Sequence, residues 1–234
     1  MAAGALDQLF DRKDAMTTTT HHILTIHLGD AADLAWAQRT VAERHYLRQP
    51  VTVRARPMAY IIRHDDSRVG LIIVSHPHAP LCRGWWGYPG LPTQWQVVDL
   101  CRIWLDPDIQ RGGFWAVPGE VPGHIDRRGD FRPTVATWAI HQVLQLVQRD
   151  RVRLWPPVYP AQPYHILLAI SYHDPLYHRG VIYRQAGAAA MYRDAAGQPA
   201  PGPSGKYGWC WPLAQPAWHW QELAGIRSRT MRMF

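Results

Sequence analysis

Lysine is nearly missing from this chain. Of its 25 basic residues only Lys13 and Lys206 are lysines, and the rest are arginines. The arginine fork matches phosphate oxygens bidentately, so a basic excess of this kind suits nucleic-acid contact. An Arg-rich, Ala-rich composition is equally what a GC-rich genome encodes. With 18 acidic residues the net charge is +7, and DNA is the expected partner. Cysteine is also scarce: Cys82, Cys101 and Cys210 lie far apart, are odd in number and form no C-x-x-C pair. That excludes a disulfide framework and a cysteine-built zinc site. No apolar run approaches the roughly 18 residues of a membrane span. Residues 1–15 lack a basic start followed by a long apolar stretch. No membrane partner and a cytoplasmic location are therefore expected.

What is present describes an ordinary folded globule. Hydrophobic residues make up 47% of the 234 and charged ones 18%, outside the range of disordered chains. One domain of this length buries roughly 70% of its unfolded surface or more, and needs no covalent staples. Twelve tryptophans serve either a wide core or an exposed stacking surface, and composition does not separate the two.

Residues 1–20 read as a weakly ordered lead-in, and 21–234 as one domain with loop insertions at 76–95 and 112–133. His22–Leu28 fits a first strand. Gly29 and Asp30 break it, and Asp30 with Asp33 resembles an N-cap with an acidic first turn. The helix that follows is predicted to reach Leu47, with Leu34, Val41 and His45 on one inward face. Met58–His64 and Val69–Ser75 read as a hairpin. Gln96–Leu105 reads as a strand whose alternation places Arg102 and Trp104 with Val98 and Leu100. Thr134–Gln148 is a helix that packs through Val135, Trp138, Val143 and Leu146. His165–Tyr172 is almost wholly apolar, as a strand buried on both faces should be. A short helix over His178–Gly187 and strands at Ala188–Arg193 and Lys206–Trp211 complete a mixed α/β order.

That order resembles the GNAT fold, the scaffold of acyl-coenzyme A-dependent N-acyltransferases, with a mixed central sheet flanked by helices. In that fold a glycine-rich turn after the fourth strand holds the coenzyme A pyrophosphate on backbone N–H groups. Here the turn is a shortened Gln110-Arg111-Gly112-Gly113, and about twenty residues follow before the helix. Acyl-coenzyme A is therefore expected to bind weakly or not at all in the usual manner. Gly180, Tyr183 and Gly187 match the family's last helix, where the tyrosine often protonates the departing thiolate.

Three further segments sharpen the resemblance. They are Glu43-Arg44-His45-Tyr46-Leu47, Asp99-Leu100-Cys101-Arg102-Ile103-Trp104-Leu105, and the run from Ser171-Tyr172-His173-Asp174 to Tyr183. In this order they resemble the phage Mom-type branch, whose members place a carbamoylmethyl group on adenine N6 in DNA. The likeness spans roughly residues 33–187. It implies that His45 and Asp174, with Tyr183, form the catalytic group, and that His45 and Asp174 hold iron or another metal; imidazole plus carboxylate suits non-haem iron. A core histidine hydrogen-bonded to a carboxylate is the competing reading.

Arg102, Arg111 and Arg179 suit phosphate or carboxylate contact, or simple solvation. Trp85 and Trp86, with Tyr88, suit stacking on an extruded base, or capping of the core. Three functions stay open at this point: Mom-like DNA modification, N-acylation of a small-molecule or protein amine, and non-catalytic nucleic-acid binding.

Overall fold

The computed structural model describes residues 24–77, 96–111, 123–125, 131–154 and 166–213. The expected lead-in at 1–20, the glycines at 112–113 and Trp85 and Trp86 all lie outside them. In chain order the elements are β1 (Leu24–Leu28), α1 (Ala31–Arg44), β2 (Met58–His64), β3 (Ser67–Ser75) and β4 (Val97–Leu105). Next come α2 (Pro107–Arg111), β5 (Gly123–Ile125), β6 (Phe131–Pro133), α3 (Val135–Leu154) and β7 (Leu168–His173). The last are α4 (Val181–Gln185), β8 (Ala189–Ala190) and β9 (Tyr207–Pro212). β5 and β6 form a small hairpin inside a stretch expected to be loop.

Seven strands make one sheet in the order β1-β2-β3-β4-β7-β9-β8. Every neighbour pair is antiparallel except β4 with β7. This is a mixed sheet flanked by helices in a single α/β domain, the fold class expected from the order of elements. α1 covers one face through Ala37 and Val41, which pack on Ala59, Ile61, Leu71 and Ile73. α3 covers the other through Trp138, Val143 and Val147, against Tyr60, Ile72 and Val98. Burying both faces of the central strands explains their unbroken apolar runs. Of the tryptophans described, Trp138, Trp209 and Trp211 are core residues.

α1 starts as expected, with the Asp30 side chain accepting from the Asp33 N–H at 2.9 Å. It ends three residues early. His45 is the C-cap in an extended conformation, and its Nδ1 accepts the Leu47 N–H at 3.1 Å. The imidazole thus supplies a partner that continued helix would have supplied from the backbone. His45 is buried, but as a cap and not on the helix face.

The strict alternation expected of β4 also fails. Val74 pairs with Leu100 and Ile73 with Arg102, which leaves Cys101 as an extra residue, a β-bulge. Beyond it the faces exchange. Ile103 and Leu105 join the α3 side with Val98 and Leu100, whereas Trp104 turns to the α1 side. Arg102 pairs with Ile73 and so shares that side.

Candidate functional site

The parallel contact between β4 and β7 is short. It joins Val97 to Leu168, Val98 to Ala169 and Asp99 to Ile170, and stops there. Beyond Asp99 the two strands part: β4 continues beside β3 alone, and β7 beside β9. One bridge crosses the throat of the splay, from the Ser171 hydroxyl to the Leu100 carbonyl at 2.8 Å. The bulge at Cys101 sits at the point of divergence. A cleft of about 400 Å³ opens there, at the C-terminal ends of both strands, where sites collect in open α/β sheets.

His45, Tyr46, Cys101, His178, Arg179 and Tyr183 are among its lining residues. They come from three separate stretches of chain. His45 and Tyr46 arrive from the end of α1, Cys101 from the bulge, and the last three from the segment after β7. Asp174 follows β7 but does not line the cleft. Its Oδ1 accepts the Leu176 N–H at 2.9 Å and shapes the following turn. Its charge acts on Tyr46, His173 and His178. Among the described residues no group of three or more His, Cys, Asp or Glu could hold a metal ion, and Asp174 stands outside the lining of the cleft to which His45 belongs.

The imidazoles around the cleft share one state. His45 is pushed down to about 4 by burial, then by Arg102 and His178. His173 is pushed down to about 4 by burial and His178, with Asp174 opposing. Burial lowers His178 as well. Each ring also receives a hydrogen bond at Nδ1: from the Leu47 N–H, from the Trp209 indole at 2.7 Å, and from the Gly180 N–H at 3.2 Å. A neutral imidazole that accepts at Nδ1 carries its proton on Nε2. All three are therefore neutral donors near pH 7 and not bases.

The rings also stack. His45 lies 4.3 Å from Tyr46, and Tyr46 lies 4.7 Å from Tyr177. His173 is 4.5 Å from His178 and 5.8 Å from Tyr183. Tyr183 is buried, and burial raises its phenol while the Ser171 hydroxyl pulls the other way. It is therefore protonated at neutral pH.

The Arg102 guanidinium donates to backbone carbonyls. Nη1 donates to the Cys101 carbonyl at 2.7 Å, and Nε donates to the Gln49 carbonyl at 3.2 Å. It thus ties the chain after α1 to the bulge, and its charge reaches His45 and Tyr46. Of the expected phosphate turn, Gly112 and Gly113 lie outside the described residues and Gln110 and Arg111 are helical. They belong to α2, and the Gln110 side chain donates to the Leu105 carbonyl at 3.1 Å. A helix forms there because Asp106 caps it, accepting the Asp108 N–H at 2.9 Å.

Sequence reasoning passed over Asp99. Its carboxyl is buried, Oδ1 has no hydrogen-bond partner, and burial pushes its pKa up to about 7 against Arg102 and Lys206. The Cys101 thiol beside it is pushed up to about 12 by burial and by Asp99, so it stays a thiol. A carboxylate flanked by apolar residues inside a strand was the available signal.

No protein-family model matches the chain, and no curated protein matches it. Several solved structures are similar in backbone. An aminoglycoside acetyltransferase, AAC(6')-Ib in complex with coenzyme A, is 14% identical over 89% of this chain and 99% of its own, with a TM-score of 0.45. The ribosomal-protein-S18-alanine N-acetyltransferase of Escherichia coli is 11% identical over 84% of this chain and 100% of its own, with a TM-score of 0.43. The AHL synthase LasI is 10% identical over 81% of this chain and 88% of its own, at 0.42. Likeness at this level carries no substrate or donor to this chain.

Proposed function

We propose that this chain is a GNAT-fold transferase that moves an acyl or acyl-derived group from a thioester donor to an amine. The splay between β4 and β7, opened by the bulge at Cys101, carries this reading. A strand edge that loses its neighbour offers backbone N–H and C=O groups to an extended chain, and β4 beyond Asp99 is such an edge on its β7 side. The residues described fit the arm of a thioester. The pyrophosphate end has no matching turn in α2.

A thioester donor supplies an activated carbonyl and a thiolate leaving group. The Tyr183 phenol, neutral and lining the cleft, is the proton donor for that thiolate. The amine loses a proton as the new C–N bond forms. The imidazoles already carry theirs on Nε2, so Asp99, buried next to the cleft-lining Leu100 with a pKa near 7 but not itself lining the cleft, is the group suited to receive it through an intervening carrier.

One observation favours a finer reading. The segments that resemble Mom-type proteins, 45–46, 99–105 and 171–183, meet at this cleft. Its wall is a stack of flat rings with Nε2–H donors beside them. Adenine N6 flanked by ring-nitrogen acceptors matches such a wall, once the base is out of its stack.

Nucleoside mass spectrometry on DNA from cells expressing the chain, with calorimetry using acetyl-coenzyme A, tests both levels. A new mass on deoxyadenosine supports the DNA reading. Thioester-dependent acylation of free amines with unaltered DNA supports the broader one alone. Neither product, together with no thioester binding, overturns both.

A further inference from the structure

We infer that Leu176 is a wedge that enters the DNA base stack beside the base drawn into the cleft. The inference rests on the DNA reading above and deepens it. Leu176 is 86% exposed and Tyr177 58% exposed, side by side in the turn that leads from β7 to the cleft residues His178 and Arg179. A lone exposed leucine needs no explanation. This one is held out rigidly. The Asp174 carboxylate accepts the Leu176 N–H at 2.9 Å, and the Asp174 carbonyl accepts the Tyr177 and His178 N–H groups at 3.1 and 3.3 Å. The Tyr177 ring is clamped on Tyr46 at 4.7 Å. Four constraints thus fix a turn whose tip makes no use of burial.

The rim beside that tip is cationic: Arg179 lines the cleft and is exposed three residues on, and the Arg102 charge reaches the cleft residues His45 and Tyr46. An apolar tip beside an exposed arginine, on a chain of net charge +7, complements a polyanion with an apolar interior, which is a stacked duplex. Proteins that open a base step fill the gap with an apolar side chain of this size. A base leaving for the cleft would leave such a gap next to Leu176. This also assigns Asp174 a positioning role, through the turn and not at a metal.

The full chain would be titrated with two mixed-sequence DNA duplexes, one intact and one with a single abasic site. The abasic duplex already lacks the base that must be unstacked, so a wedge protein binds it about tenfold tighter or more. Leu176→Ala should abolish that preference while its melting temperature stays that of the parent, and Leu176→Phe should keep it. Arg179→Ala should weaken both duplexes alike. Equal, salt-dependent binding of both duplexes by the parent chain overturns the wedge and leaves the DNA reading standing. No binding of either removes both. If Leu176→Ala retains the preference, or if Leu176 is instead needed to hold a protein partner in the absence of DNA, the wedge is also wrong.

Discussion

Gly180 lies face-on against the His173 imidazole, so close that a Cβ at position 180 would stand 2.4 Å from Cε1. Its φ of +66° is a second restriction, since that region favours glycine. The glycine that resembles a family landmark is thus a packing residue that lets the ring stack of the site close. Gly180→Ala is expected to lower the unfolding free energy by about 2 kcal/mol or more, from strain and overpacking together. Urea denaturation checks this, and an unchanged midpoint would contradict it.

The depressed histidines set an acid limit. His45, His76 and His173 all fall to about 4 in the fold, chiefly through burial, against about 6.5 in an unfolded chain. Below pH 6.5 the unfolded state binds the extra protons, so stability falls as pH drops and levels off beneath about 4. Each ring contributes at most about 3 kcal/mol to that loss. Guanidinium midpoints should therefore be clearly lower at pH 5 than at pH 7. Equal midpoints would mean that the rings are already accessible to protons.

Asp99 works in the opposite sense. Its folded pKa, near 7, lies above the ordinary carboxylate value. Stability from this group is present in acid and lost as pH rises through 7. Asp99→Asn removes the buried charge and should stabilise the protein by up to about 4 kcal/mol at pH 8 and by less than half of that at pH 5. The same variant should lose about a hundredfold in kcat together with the limb of the pH–rate profile near 7. A variant that is more stable and still fully active would remove Asp99 from the reaction.

Tyr183→Phe separates the phenol's chemistry from its packing. The ring sits among His173, Trp209 and Trp211 at 5.8 to 6.1 Å, and phenylalanine fills the same space. The melting temperature should change little, while kcat falls about a hundredfold with KM nearly constant. A large rise in KM at constant kcat would make the hydroxyl a binding contact only.

Much of the scaffold could be read from the chain because its causes are local. Asp30 caps a helix through its own side chain, and the apolar runs of β2, β3 and β7 demand burial on two faces wherever they fold. The Gly180–Gly187 spacing brackets a short helix in the same way, since Gly187 ends it at a φ of +76°. The neighbourhood of Tyr46 and Tyr183 follows from resemblance alone, and periodicity places only His45 inward, on a helix face that it leaves as the C-cap. What only the tertiary structure decided are the features that depend on pairing. The extra residue at Cys101 exists only in register against β3, and it turns Arg102 and Trp104 to the α1 side. Asp99 is an ordinary carboxylate in the sequence, and its raised pKa comes from burial among strands distant along the chain. The histidine tautomers were equally hidden, because each is set by one donor reaching Nδ1, and for His173 that donor is an indole 36 residues away. Local chemistry specifies which elements form, whereas the site depends on where two strands stop pairing, and that is a property of the assembled sheet.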